Sequence, residues 1–310
     1  MKIMFMGTPE ISATCLRRLV ADGHNVVAVV TGEDKPRGRK MIMTPTATKQ
    51  AAEELCIPVY TPRTLRDDAF AALLGEVDPD LIAVVAYGKI LPPSVINYPK
   101  YGCINLHVSL LPKYRGAAPM QRAIMEGESE TGVTVMYMDE GLDTGDIITT
   151  EKFPIGPTDD FEVIHDRSAE IGSALLSSVL PTLENNTATR TPQDSSLATY
   201  ASKIEKEDCK LDFTLSAQKL DFIIRGVTPI PGAFAYLGGK MLKISRATPV
   251  PGRGEPGRVI ATDTKGEGSF TVACGEGALL VSSVIPEGKG KMTAGDFVRG
   301  RKINEGDLLE

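Results

Sequence analysis

Between Gly102 and Gln121 the chain reads GCINLHVSLLPKYRGAAPMQ, and two residues in it stand out by type and spacing. Asn105 and His107 close an apolar run two positions apart, so on an extended strand both side chains leave the same face. At the carboxyl end of a strand in an open α/β sheet, that face looks into the crevice where ligands bind. A carboxamide beside an imidazole can donate hydrogen bonds to a developing oxyanion or move a proton. A second polar stretch, MDEGLDTGD from Met138 to Asp146, lies between two apolar runs. Calcium fails on spacing there, because counting from Asp139 puts glycine third and threonine sixth. Asp143 is the carboxylate that could reach His107 from a neighbouring strand end, either to hold it as a cation or to act as a base.

Such a site needs strands that end side by side. Lys2 to Met6 is apolar and stops at Gly7-Thr8-Pro9. An amphipathic segment from Glu10 to Ala21 follows, with Ile11, Cys15, Leu16 and Leu19 at helical spacing, and then a second apolar run from Val26 to Val30. Strand, glycine turn, helix, strand opens a parallel α/β unit, because strands buried on both faces read as unbroken hydrophobic runs. Further strands are expected at 57–60, 81–86, 102–106, 132–138 and 147–153, with helices near 46–55, 67–75, 119–125 and 159–183. The fold class is α/β: a doubly wound, mostly parallel, Rossmann-like sheet. From Asn185 to Ser196 the composition turns to Asn, Thr, Pro, Gln, Asp and Ser, as in a linker. A helix at 215–225 and short β-rich runs at 233–237, 241–247, 258–262, 270–274 and 278–284 follow, and they suggest a smaller OB-like β-barrel. The expected division is a catalytic domain over 1–187, a linker over 188–207 and a barrel over 208–310.

Composition narrows the function classes. The chain has 310 residues, 42% of them hydrophobic, and a net charge of −6. Bulk positive charge for coating nucleic acid is absent. The charge is uneven, at −8 for residues 1–200 and +2 for 201–310. Inside the acidic part, Lys35, Arg37, Arg39, Lys40 and Lys49 against Glu33 and Asp34 make a local island of +3. The turn Gly7-Thr8-Pro9-Glu10 lacks the three-glycine spacing of a dinucleotide site, and no phosphate loop ending in Lys-Ser/Thr occurs, so nicotinamide and ATP chemistry are disfavoured. The five dispersed cysteines fit neither a disulfide framework nor a zinc site, and no metal is expected. No signal peptide or membrane span is read, which places the chain in the cytoplasm.

The two polar stretches carry a resemblance that extends along nearly the whole chain. GTPE at Gly7 to Glu10, VAYGKILP at Val85 to Pro92, INLHVSLLPKYRGAAPMQ at Ile104 to Gln121 and GLDTGDI at Gly141 to Ile147 resemble the 10-formyltetrahydrofolate-dependent formyltransferases. YASKI at Tyr200, LDF at Leu211 and IRGVTPIPGA at Ile224 extend the likeness, together with the basic loop, to the branch that formylates methionyl initiator tRNA. The resemblance implies Asn105, His107 and Asp143 as catalytic residues, the three that position alone singles out. It implies a folate crevice lined by Ile90, Leu91 and Pro92, by Ser109, Leu110, Leu111 and Pro112, and by the loop from Asp139 to Asp143. It implies tRNA contacts from Lys35, Arg37, Arg39 and Lys40, extended by Lys203, Lys206 and Lys210. Three positions depart from the family's usual residues: Ile11 for an aromatic, Ala47 for a proline and Phe213 for a tryptophan. An N-formyltransferase for an amino sugar nucleotide would share the three polar residues but gives no reason for the basic loop. A non-catalytic RNA-binding protein gives no reason for the three polar residues.

Overall fold

The computed structural model describes residues 1–38 and 41–310, the side chain of Arg37 excepted. The chain forms two compact units, one made of Met1–Pro119, Glu130–Phe153 and His165–Ala201, the other of Met120–Ser129, Pro154–Ile164 and Ser202–Glu310.

The first unit is built on β1 (Ile3–Gly7), α1 (Glu10–Ala21) and β2 (Val26–Val30). A small hairpin of β3 (Lys35–Arg37) and β4 (Ile42–Thr44) comes next, then α2 (Ala47–Glu54), β5 (Val59–Tyr60), α3 (Asp68–Val77), β6 (Leu81–Val85) and α4 (Pro93–Ile96). β7 (Cys103–His107), β8 (Arg115–Gly116), β9 (Glu130–Tyr137), β10 (Ile147–Pro154), α6 (Phe161–Glu184) and β11 (Tyr200–Ala201) follow, while α5 (Pro119–Met125) and the first turn of α6 belong to the second unit. Seven strands form one sheet in the order β10-β9-β7-β6-β1-β2-β5. β7, β6, β1, β2 and β5 are parallel, and β9 runs antiparallel to β7 with His107 opposite Thr134. The expected mixed, mostly parallel α/β sheet is present.

Period-two alternation sets one core layer. Met4 and Met6, Ala28 and Val30, and Ile82 and Val84 share a face with Phe70 and Leu74 of α3, and with Val95 and Ile96 of α4. On α1, Ile11, Cys15, Leu16 and Leu19 are the buried stripe, so the departure at Ile11 is an aliphatic core residue. Gly7 has no room for a side chain, since a Cβ would lie 2.9 Å from the Val85 carbonyl oxygen. There the Ser12 hydroxyl donates to that oxygen at 2.6 Å and accepts from Thr8 N at 3.2 Å, tying β1 to β6. The Gly7-Thr8-Pro9-Glu10 turn is thus used for packing between strands. Ala47 opens α2 behind Thr46, whose hydroxyl accepts from Lys49 N at 3.0 Å and caps the helix.

The second unit contains α7 (Ala217–Val227), β12 (Phe234–Leu237), β13 (Lys240–Val250), β14 (Val259–Asp263), β15 (Ser269–Ala273), β16 (Ala278–Pro286), β17 (Met292–Thr293) and α8 (Ala294–Arg299). Leu220 and Ile224 of α7 pack with Leu242, Ile244, Phe270, Val272, Leu279 and Val281 in its core, where Phe213 is buried as well.

The OB-like barrel expected from the turn spacing is met in part, as a β-rich second unit with no closed barrel shown. The strands make an antiparallel sheet in the order β12-β13-β16-β15-β14, with β17 on β16. Among the described residues β12 and β14 do not pair. The chain's last residues satisfy both edges, with Leu309 bridged to Leu237 and Leu308 to Arg258. Gly- and Pro-rich turns count strands, but closure depends on which distant edge meets which, and here a tail segment takes both edges.

Candidate active site

β7 is an interior strand whose apolar residues lie on both faces, and its end carries the polar pair. Asn105 is partly exposed and His107 is only 6% exposed. Among the described residues, no hydrogen bond engages the Asn105 carboxamide, so both its donors are available to a bound group. His107 is held through Nε2 and has a carboxylate near Nδ1. Its Nε2 lies 2.9 Å from the Tyr114 carbonyl oxygen, an atom that can only accept, so Nε2 carries hydrogen. Its Nδ1 faces Asp143 Oδ2 at 3.6 Å.

The turn after β7 is stitched to β9. Thr134 Oγ1 donates to the Ser109 carbonyl oxygen at 2.7 Å and accepts from Leu111 N at 3.3 Å. The Ser109 hydroxyl donates to the Lys113 carbonyl oxygen at 2.7 Å. This turn brings Tyr114 back over His107. Gly116 N then donates to Asp143 Oδ2 at 2.8 Å, so two positions of one segment, on either side of Arg115, hold the imidazole and the carboxylate.

The Met138–Asp146 loop is a tight coil. Asp139 Oδ1 accepts from Gly141 N at 3.0 Å and from the Thr144 hydroxyl at 2.7 Å, so its carboxylate closes the loop. Gly145 has no room for a Cβ, which would strike the Tyr137 carbonyl oxygen. Asp143 itself has φ +54°, a left-handed conformation that aspartate tolerates better than most residues but that its surroundings must enforce.

Of the residues expected to line a folate crevice, Leu91, Pro92, Ser109 and Leu111 are buried, while Ile90 is an exposed large hydrophobic residue. Leu110 packs on Gly132, where a Cβ would lie 3.1 Å from its Cγ. Ser109, fully buried and engaged with Lys113, contributes the shape of the turn rather than a free hydroxyl. On the segment between β6 and α4, Tyr87 is buried and burial pushes its phenol up to about 12. Among the described residues no group of His, Cys, Asp and Glu is placed to hold a metal.

The basic residues fall into two places. Lys35 and Arg37 lie on β3, while Arg39 and Lys40 are outside the described residues. Met41, Ile42 and Met43 on the same hairpin are all exposed, and Lys49 is tied to Asp34 at 2.9 Å. In the second unit Lys203 is exposed and 3.6 Å from Glu205, while Lys206 and Lys210 sit over the rings of Phe234 and Tyr236 at 5.7 and 5.8 Å. Lys206 and Lys210 are both exposed.

Two family models match the chain, a formyl transferase model over residues 1–180 and a formyl transferase C-terminal domain model over 203–302. Among curated relatives, the methionyl-tRNA formyltransferase of Citrifermentans bemidjiense is 43% identical over 309 residues, covering 100% of this chain and 96% of the relative. That of Halalkalibacterium halodurans is 46% identical over 314 residues, covering 100% and 98%. The chain belongs to the methionyl-tRNA formyltransferase family. More remote solved structures share this formyltransferase's fold. An N-formyltransferase from Helicobacter canadensis, in complex with folinic acid and dTDP-3-aminofucose, aligns with a TM-score of 0.66 at 19% identity, covering 91% of this chain and 98% of that one. HypX from Aquifex aeolicus, in complex with tetrahydrofolic acid, aligns with a TM-score of 0.66 at 19% identity over 99% of this chain and 50% of that chain. In this formyltransferase no described helix is long and apolar enough to cross a membrane.

Sequence reasoning passed over Arg115 and Gln193, which the structure places at the site. Arg115 lies inside the GCINLHVSLLPKYRGAAPMQ stretch, and its burial beside two polar anchors was not marked by any periodicity. Gln193 was hidden in a linker-like composition.

Proposed function

We propose that this chain transfers the formyl group of 10-formyltetrahydrofolate to the α-amino group of methionyl initiator tRNA. The observation that carries the reading is the convergence of Asn105, His107 and Asp143 at the end of β7, with the Nδ1–Oδ2 separation of 3.6 Å, in a chain of this family. The catalytic residues belong to the domain over 1–187, and 208–310 is a tRNA-binding domain. A cytoplasmic setting goes with this substrate.

The chemistry suits the residues. When the uncharged amine adds to the formyl carbon, the formyl oxygen becomes an oxyanion, and donors aimed at that oxygen lower the barrier. The free carboxamide of Asn105 can supply one such donor, and His107, whose Nε2–H is taken by the Tyr114 carbonyl, can supply a second from Nδ1 when that nitrogen carries hydrogen. Asp143 holds the imidazole and takes the proton that the amine sheds, directly or through one water. As the tetrahedral centre collapses, the carbon–N10 bond breaks, N10 is protonated, and formyl amide and tetrahydrofolate leave. Neither a covalent enzyme intermediate nor a metal is needed. For the donor, Leu91, Pro92 and Leu111 offer apolar walls, Ile90 an exposed aliphatic lip, and the backbone of Ser109–Pro112 and Asp139–Asp143 the polar groups that a flat pterin edge reads.

The tRNA contacts rest on Lys35, Arg37, Arg39 and Lys40 of the basic stretch in the sequence and on Lys203, Lys206 and Lys210 of the second unit. Lysine and arginine give affinity through phosphates, while reading the acceptor end depends on its unpaired or weakly paired bases. Arg39→Ala should weaken tRNA binding and reduce the slope of log affinity against log salt by about one, because one fewer counterion is released. Binding measured across a salt series checks this, and an unchanged slope takes Arg39 off the interface.

The deciding experiment supplies 10-formyltetrahydrofolate with charged initiator tRNA in one arm and amino sugar nucleotides in the other. Formylated methionyl-tRNA is the expected product. Formylation of a sugar without formylation of the tRNA would overturn the reading. The relatives named for methionyl-tRNA at 43 and 46% identity favour the first outcome over the sugar alternative, whose likeness is at 19%.

A further inference from the structure

We propose that Gln193 is a positioning residue for Asp143, and that the 191–201 segment is part of the active-site scaffold rather than a passive tether. The proposal rests on the catalytic role of Asp143 given above. The side-chain amide of Gln193 is shared between two partners that want opposite things. Its Nε2 donates to the carbonyl oxygens of Asp143 at 2.9 Å and Gly145 at 2.8 Å, one for each amide hydrogen. Its Oε1 accepts from Arg115 Nε at 3.2 Å and Nη2 at 2.8 Å. Flipping the amide would set NH₂ against a guanidinium and oxygen against two carbonyls, so the network allows a single orientation.

The consequence is local and specific. Asp143 sits in the left-handed region, with φ +54°. Fixing the carbonyls of residues 143 and 145 sets the peptide planes on its carboxyl side, and with them the direction in which the carboxylate leaves the loop. Arg115 is 2% exposed and lies between Tyr114, whose carbonyl holds His107, and Gly116, whose N–H holds Asp143. His107, Tyr114, Arg115, Gln193 and Asp143 therefore form a closed ring of contacts. The segment that supplies Gln193 is itself anchored at both ends. Thr191 exchanges two backbone hydrogen bonds with Ile147 at 2.8 and 3.0 Å, and β11 pairs with β8 in parallel. Tyr114 N donates to the Thr199 hydroxyl at 2.8 Å and Arg115 N to the Thr199 carbonyl oxygen at 2.9 Å.

Two substitutions separate positioning from simple structural support. Gln193→Glu keeps an acceptor for Arg115 and nearly the same shape but sets a carboxylate oxygen against the two loop carbonyls. Gln193→Met removes both functions. If the two donated hydrogen bonds aim Asp143, both variants lose kcat on the order of 100-fold, the scale of a small misplacement of a reacting group, while KM for tRNA and for the folate stays within about threefold. Gln193→Glu with kcat within about threefold of wild type, or an effect confined to KM, overturns the proposal.

Hydrogen exchange on the full chain gives a readout that does not depend on turnover. The amides of residues 139–146 should exchange faster in both variants, with β7 and β9 unchanged. Unaltered exchange in that loop, or faster exchange spread over the whole first unit, also overturns it. A wild-type chain that formylates nothing defeats the proposed function, and the exchange measurement still decides whether Gln193 holds the loop.

Discussion

Asn105→Ala should lower the turnover of formyl transfer by about 100- to 1000-fold, the range seen when one oxyanion donor is removed. Affinity for tRNA should stay near wild type. Asn105 is the one member of the polar trio with no hydrogen bond among the described residues, so truncating it leaves no orphaned partner inside the protein. The Val84 and Met136 registers that flank it on β6 and β9 are backbone pairings and do not depend on its side chain. Stability should therefore change little. Steady-state kinetics beside a tRNA-binding measurement checks the split, and a variant with normal turnover would remove Asn105 from the oxyanion role.

Arg225→Met should destabilise the second unit by about 3–5 kcal/mol at neutral pH, because it strands a buried carboxylate. On α7, Arg225 Nε bonds Asp221 Oδ2 at 2.9 Å one turn earlier, both side chains are largely buried, and Nη1 also reaches the Asp159 carbonyl oxygen at 2.8 Å. Burial raises the Asp221 carboxyl above its ordinary 3.8, and Arg225 pulls it back down. A carboxyl raised in the folded state contributes stability that is fully present below 3.8 and is lost as pH climbs through the folded value. Without Arg225 that folded value moves higher. The deficit of the variant should therefore be largest near neutrality and shrink in acid, where the carboxyl is neutral. Urea unfolding at several pH values measures this, and the double replacement Asp221→Leu with Arg225→Met should recover most of the loss. A deficit that is flat with pH would mean that the lost stacking of the guanidinium over the Phe222 ring, and not an unpaired charge, sets the cost.

What could be read in advance differs between parts of the molecule for identifiable reasons. Asn105 and His107 were legible because strand alternation has a period of two and needs no knowledge of neighbours. The parallel sheet was legible because Ile3–Gly7, Val26–Val30 and Leu81–Val85 are apolar along their whole length, as strands covered on both faces must be. The hairpin of β3 and β4 was not, since its strands are three residues each and carry Lys35, Pro36 and Arg37, residues that argue against a strand. Barrel closure was not legible because it turns on a non-local choice, the tail residues Leu308 and Leu309 bridging the two sheet edges. Gln193 was illegible because its role lies in two carbonyl oxygens fifty residues away, and carbonyls leave no mark on side-chain pattern.

The pairing of β8 with β11 also bears on how the chain comes into being. Tyr114 is anchored by Thr199, 85 residues later in synthesis, and Arg115 by Gln193, 78 residues later. At about 5–20 residues per second, a ribosome needs several seconds to cover that stretch. Every strand of the main sheet has already been made when Gln193 and Thr199 emerge. The nascent chain thus carries His107 and Asp143 before it carries the residues that hold them in register, and the last piece of the site to be synthesised is the piece that orients it.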